Sequence, residues 1–151
     1  MSTPAGGPNS AVDATNVIEI DIPARTDLVT VVRMVVAAAA TAAEVFDGDR
    51  LDDLRWVTSE AVTNAIEADQ RVSTNGRVRV TLRIASDRVY LTVVDQGGGL
   101  PEIVDVPDID HPDRLLIEGG FGVPLMQHLS SGDVQFSSTS EGTTVALELH
   151  R

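Results

Sequence analysis

Residues 77–85 (RVRVTLRIA) and 88–94 (RVYLTVV) alternate apolar and polar side chains, and only Ser86 and Asp87 separate them. Side chains on a strand point alternately to its two faces, and two residues leave no length for a crossover. The pair must therefore form an antiparallel hairpin with one apolar face to bury. The arginines of the first run fall on the opposite, outward face.

The material to cover that face is in the same chain. Thr26 or Asp27 can cap a helix running to about Phe46, in which the alanine-rich run 37–43 favours helix and close packing. Asp47 and Gly48 break it. Asp49 can cap a second helix ending near 69–71, with Asp52 and Asp53 well placed for its dipole. Leu51, Leu54, Val57, Ala61, Ala65 and Ala68 form its apolar face. A third helix starts near Gly122, with Pro124 in its first turn and Gly132 as its stop. Further strands are expected at 16–22, ended by Pro23, and at 134–138 and 143–149, around a turn at 140–142. The order predicts an α+β two-layer sandwich: a mixed, mainly antiparallel sheet covered on one face by about three helices. Residues 1–15, rich in Gly, Pro, Ser, Thr and Asn, read as a disordered tail, and 16–151 as one domain. Residues 95–118 read as a long loop with seven acids and one basic residue, Arg114. A loop of that length is functional or mobile.

Composition removes several classes of function. The formal net charge of −12 repels phosphate backbones, which argues against direct nucleic-acid binding. All eleven basic residues are arginine, so a P-loop and lysine Schiff-base chemistry are excluded. The chain has no cysteine, hence no disulfide, thiolate nucleophile or zinc–thiolate site. The N-terminus lacks the basic start and apolar core of a signal peptide. The most apolar stretch, 29–46, contains Arg33 and Glu44 and reads as a packed helix rather than a membrane span. The expected location is cytoplasmic. Aromatics are only 3%, so the core must be Val, Leu, Ile and Ala.

Four segments could carry chemistry. In 59–68 (SEAVTNAIEA), Glu60 and Asn64 lie one helical turn apart on one face, with Glu67 nearby. A carboxylate there can orient a hydroxyl and accept its proton, and a carboxamide oxygen can bind Mg²⁺; the same pattern also makes an ordinary solvated stripe. In 93–101 (VVDQGGGLP), Asp95 ends an apolar strand and glycines follow. Asp95 in a pocket could accept an adenine amino N–H while glycines admit a flat base, or the segment is a simple turn. In 118–129 (EGGFGVPLMQHL), glycines precede a helix N-terminus, which is either an anion cradle or a hinge. In 141–149 (EGTTVALEL), Thr143 could bring a hydroxyl beside Asp95. His111, His128 and His150 lack metal-ligand spacing.

In this order the four segments resemble the GHKL superfamily, the Bergerat-fold ATPases that include histidine-kinase catalytic domains. They are most similar to the bacterial anti-sigma factor serine/threonine kinases. The resemblance spans about 16–149. Residues 59–66 look like the N box, which implies that Glu60 activates a substrate hydroxyl and that Asn64 binds Mg²⁺. Residues 95–99 look like the first glycine box, with Asp95 on the adenine amino group and Gly97 and Gly99 beside it. Gly120, Phe121, Gly122 and Val123 match the second glycine box, at the ATP lid. Gly142 and Thr143 match the third. Arg33 corresponds loosely to an arginine that grips protein partners. Ala68 stands where many relatives have histidine. The resemblance implies ATP and Mg²⁺ as ligands and a sigma factor and a STAS-domain anti-anti-sigma factor as partners. It also implies a homodimer, as relatives commonly dimerise. The activity implied is phosphorylation of a serine on the antagonist; a regulatory ATP-binding module without kinase activity is the other reading.

Overall fold

The computed structural model describes residues 16–72, 75–96, 122–132, 134–139 and 142–151. The segment 1–15, expected to be a tail, lies outside the described residues, as does almost all of the acidic loop. The chain runs β1 (Val17–Pro23), a 3-10 turn (Thr26–Leu28), α1 (Val29–Ala42), α2 (Gly48–Gln70), β2 (Arg77–Ile84) and β3 (Arg88–Asp95). It continues through α3 (Gly122–Leu129), β4 (Gln135–Thr139) and β5 (Gly142–His150).

The alternating runs form the hairpin β2–β3, which Ala85 N–H closes on the Arg88 carbonyl at 2.9 Å. The strand order is β1-β2-β3-β5-β4. Every pairing among the described residues is antiparallel, so the expected mixture resolves to one pattern. Alternation then decides which face is covered. Val78, Val80, Leu82, Val89, Leu91, Val93, Val145, Leu147 and Leu149 are buried, while their neighbours along the strands stay partly exposed. On α2 the buried face is Leu54, Val57, Thr58, Ala61, Val62, Ala65, Ile66 and Asp69. Val32, Val36, Ala37 and Ala40 are the buried residues of α1. Each large aliphatic side chain so buried contributes about 1.5–3 kcal/mol. No helix among the described residues is long and apolar enough to cross a membrane.

Several helix boundaries differ from expectation, including α3, which ends at Leu129 before Gly132. The first helix stops at Ala42 instead of Phe46, and neither Thr26 nor Asp27 caps it. Asp27 is instead engaged by Arg25, whose Nε donates to it at 3.1 Å. At the other end Val45 N–H bonds back to the Ala40 carbonyl and Glu44 N–H to the Thr41 carbonyl. This double closure requires a left-handed residue between, and Glu44 takes it with φ 56. Val45 and Phe46 then turn into the core. The second helix begins at Gly48 after Asp47, so Asp49 lies inside the first turn rather than at the cap.

Arg50 ties the second layer together. Its Nε donates to the His150 carbonyl at 2.6 Å, and Nη1 donates to the Leu129 carbonyl at 2.9 Å and to Asp53 at 3.0 Å. Its Nη2 donates to Ser131 Oγ at 2.7 Å, and that oxygen also accepts His150 N–H at 2.9 Å. One guanidinium thus locks the start of α2 to the end of α3 and the end of β5.

Two glycine-related positions give opposite expectations. A Cβ on Gly142, whose φ is +154, would lie 2.0 Å from the Asp95 carbonyl oxygen. Gly142→Ala should therefore cost about 2–4 kcal/mol in urea unfolding. Glu44→Gly relieves a left-handed glutamate and should stabilise by about 1 kcal/mol, even after the entropy of the unfolded glycine. An unchanged or lowered midpoint for Glu44→Gly would contradict this.

Candidate functional site

With one face of α2 buried on the sheet, the flank carrying Glu60, Asn64 and Glu67 is left half-buried. No ion pair among the described residues engages Glu60 or Glu67. Burial raises the Glu60 carboxyl above the ordinary glutamate range, and the like charge of Glu67 raises it further. Glu60 is therefore a stronger proton acceptor than an exposed glutamate. Its ionised form is reached only at higher pH.

Asp95 ends β3 on the same side of the sheet as Val89, Leu91 and Val93, which is the side the helices cover. It is 4% exposed, an unusual depth for a carboxylate. Its Oδ1 accepts the Thr143 N–H at 3.3 Å. Thr143 is buried beside it, with its hydroxyl 3.5 Å from Ser138 Oγ. Gly142 makes this corner possible, because only a residue without Cβ can pass so close to the Asp95 carbonyl.

The two ends of α2 show where these groups lie relative to each other. At its start, Arg50 holds the ends of α3 and β5. At its finish, Asp69 packs against Gly76, two residues before Val78, whose register partner is Asp95. The last turns of α2, the end of β3 and the beginning of β5 thus share one end of the molecule. Of the sequence-predicted residues, Asp95 and Thr143 lie at this end, and on α2 Asn64 and Glu60 precede Asp69 by about one and a half and two and a half turns. Gly122 and Val123 are the first residues of α3, the end of that helix remote from the Arg50 anchor. Gly97, Gly99, Gly120 and Phe121 lie outside the described residues. Among the histidines, His128 is exposed and His150 pairs with Glu148 at 3.1 Å. No group of three or more metal-ligating side chains occurs among the described residues.

Arg33 sits elsewhere. It is half-buried on α1, and its Nη1 donates to Ser59 Oγ at 3.5 Å on the neighbouring flank of α2. Arg33, Asp52, Arg55, Trp56 and Ser59 line a surface cleft of about 340 Å³. Around it Val31, Met34, Val35 and Trp56 are exposed, Met34 by 65% and Trp56 by 56%. Sequence reading did not single out Trp56. Its signal was available: the chain's only tryptophan stands between the charged Asp52–Arg55 pair and Ser59, off the apolar stripe.

Comparison with known proteins gives the family and the fold. The family model for the histidine kinase-like ATPase domain matches residues 22–149. The anti-sigma F factor of Geobacillus kaustophilus is 31% identical over 136 residues, covering 89% of this chain and 92% of the relative. The serine-protein kinase RsbW of Bacillus subtilis is 30% identical over 135 residues, covering 86% and 82%. Among solved structures, the histidine kinase domain of the Erythrobacter litoralis EL346 blue-light activated histidine kinase aligns with a TM-score of 0.54 at 19% identity. That alignment covers 95% of this chain and 65% of the other. The catalytic domain of the histidine kinase ThkA aligns with a TM-score of 0.51 at 15% identity, over 88% of this chain and 95% of the other. At such identities these two matches speak for the fold alone. The chain belongs to the histidine kinase-like ATPase family and, within it, to the bacterial anti-sigma factor serine kinases.

Proposed function

We propose that this protein is a cytoplasmic anti-sigma factor that binds a sigma factor and phosphorylates a serine on a STAS-domain anti-anti-sigma antagonist, using Mg-ATP. The observation that carries the proposal is the buried Asp95–Thr143 corner, on the two strands, β3 and β5, against which α2 with Glu60 and Asn64 packs. A buried carboxylate positioned by a backbone N–H suits an adenine amino group as an acceptor. The relatives' names, anti-sigma F factor and serine-protein kinase RsbW, support both halves of the reading.

In this mechanism Asp95 accepts the adenine amino N–H, and Thr143 holds the aspartate in place. The backbone N–H groups of Gly122 and Val123, at the start of α3, face the phosphates. Asn64 fits Mg²⁺ through its amide oxygen, since that ion takes few protein ligands and completes its shell with phosphate and water. When bound, Mg²⁺ would offset charge on the phosphates. Glu60 orients the serine hydroxyl and receives its proton as the serine oxygen bonds to the γ-phosphorus. The bond between that phosphorus and the β–γ bridging oxygen breaks, leaving ADP. Phosphoryl transfer needs mainly this positioning. Raised by burial and by Glu67, Glu60 is matched to accepting a hydroxyl proton. Partner proteins dock on the α1–α2 face, where Arg33 lies among exposed Met34, Val35 and Trp56.

Glu60→Gln tests the chemistry. The variant should bind ATP nearly as the wild type does and transfer phosphate about 10²–10⁴-fold more slowly to the antagonist. Wild-type transfer by Glu60→Gln would remove Glu60 from the mechanism. ATP binding by the wild type without transfer to any STAS protein would leave a nucleotide-dependent binding module.

A further inference from the structure

Asp69 has no role in the proposed chemistry, yet it is the most unusual side chain in the fold. It is fully buried near the end of α2, and among the described residues neither carboxylate oxygen has a hydrogen-bonding partner. It packs so closely on buried Gly76 that a Cβ there would overlap its Oδ2 at 1.3 Å. An ionised carboxylate without partners in such a place costs several kcal/mol, whereas a neutral carboxyl costs far less. Its position in the last turn of α2 adds repulsion from the helix's negative end.

No charge pair among the described residues relieves it. On α2, Glu67, Gln70 and Arg71 line an outer cleft with Thr26. On β2, Arg77 is paired with Asp21 at 2.7 Å, and in the turn after β1, Arg25 is paired with Asp27. None of the ion pairs among the described residues includes Asp69. Among the described residues, the backbone bonds around it include Arg71 N–H to the Glu67 carbonyl at 3.2 Å, Val72 N–H to the Asp69 carbonyl at 3.1 Å, and Ala24 N–H to the Gly76 carbonyl at 2.9 Å.

We propose that the contact of Asp69 on Gly76, between the end of α2 and the start of β2, is a pH-sensitive latch, shut while the Asp69 carboxyl is neutral and opened when it ionises. Opening hydrates the carboxylate and frees the first residues of β2, where Val78 pairs with Asp95. The latch thus connects proton concentration to the strand end that carries the buried aspartate of the site.

The direction follows from linkage. Burial raises the Asp69 carboxyl above the ordinary aspartate range. Below the ordinary midpoint, about 3.9, closed and open forms are both protonated. Between that value and the raised one, opening releases a proton, so the opening constant climbs up to about tenfold per pH unit. Above the raised midpoint it levels off.

Native-state hydrogen exchange of the Val72 and Ala24 amides, from about pH 5 to about pH 8 and corrected for intrinsic base catalysis, tests this on the full chain. The wild type should show an opening constant that rises and then levels off. Asp69→Asn, similar in volume but unable to ionise, should show a lower and flat one. A flat wild-type profile, or the same slope in Asp69→Asn, overturns the latch. Should that variant fail to fold, ¹³C titration of the wild-type Asp69 carboxyl decides. A midpoint above ordinary aspartate is expected, and one at or below it refutes the proposal.

Discussion

The apolar face of α2, from Leu54 to Ile66, packs on the buried side of β2, β3 and β5, and the positions of the candidate site follow from that contact. A helix has only one orientation that buries Leu54, Val57, Ala61, Val62, Ala65 and Ile66 together. In that orientation Glu60 and Asn64 stand at the edge of the interface: neither deep enough to be neutralised nor exposed enough to be ordinary surface. Burying those six side chains outweighs the modest cost of partly desolvating one glutamate. The charge pattern is thus imposed by core packing.

Two local devices fix the ends of this layer. Arg50 satisfies the last carbonyls of α3 and β5 with one side chain, and charge-assisted bonds of this kind are each worth about 1.5–3 kcal/mol. Gly142 lets β5 begin against the Asp95 carbonyl, which brings the Thr143 N–H to the carboxylate. The second device is tied directly to the site. The first holds α3 only by its last turn, so the Gly122 end is not fixed by it.

Local periodicity made most of the fold legible. The β2–β3 hairpin and α2 appear within one or two residues of their expected bounds, because alternation and the 3.6-residue stripe are short-range signals. Residue type and order predict the Thr143 hydroxyl beside Asp95; the bond found is from its backbone N–H, and the hydroxyl lies 3.5 Å from Ser138 Oγ. What local signals could not show were contacts made at long sequence distance. The Arg50 network joins residues about 80 to 100 apart, and nothing near Arg50 marks it among the arginines. The early end of α1 was missed because its stop uses Glu44 in a left-handed conformation, where glycine or asparagine would have been the signal. The sequence places Asp69 only near the end of the second helix; its burial against Gly76 is a tertiary contact.

The central claim is that Asn64, Asp95 and Glu60 form one nucleotide site, with Asn64 at its metal end. Isothermal titration of ATP, with and without Mg²⁺, into the wild type and Asn64→Ala tests it most directly. The wild type should bind saturably and more tightly with Mg²⁺, and Asn64→Ala should lose that Mg²⁺-dependent gain. Absence of any binding heat or thermal shift in the wild type, or an undiminished Mg²⁺ gain in Asn64→Ala, would contradict it.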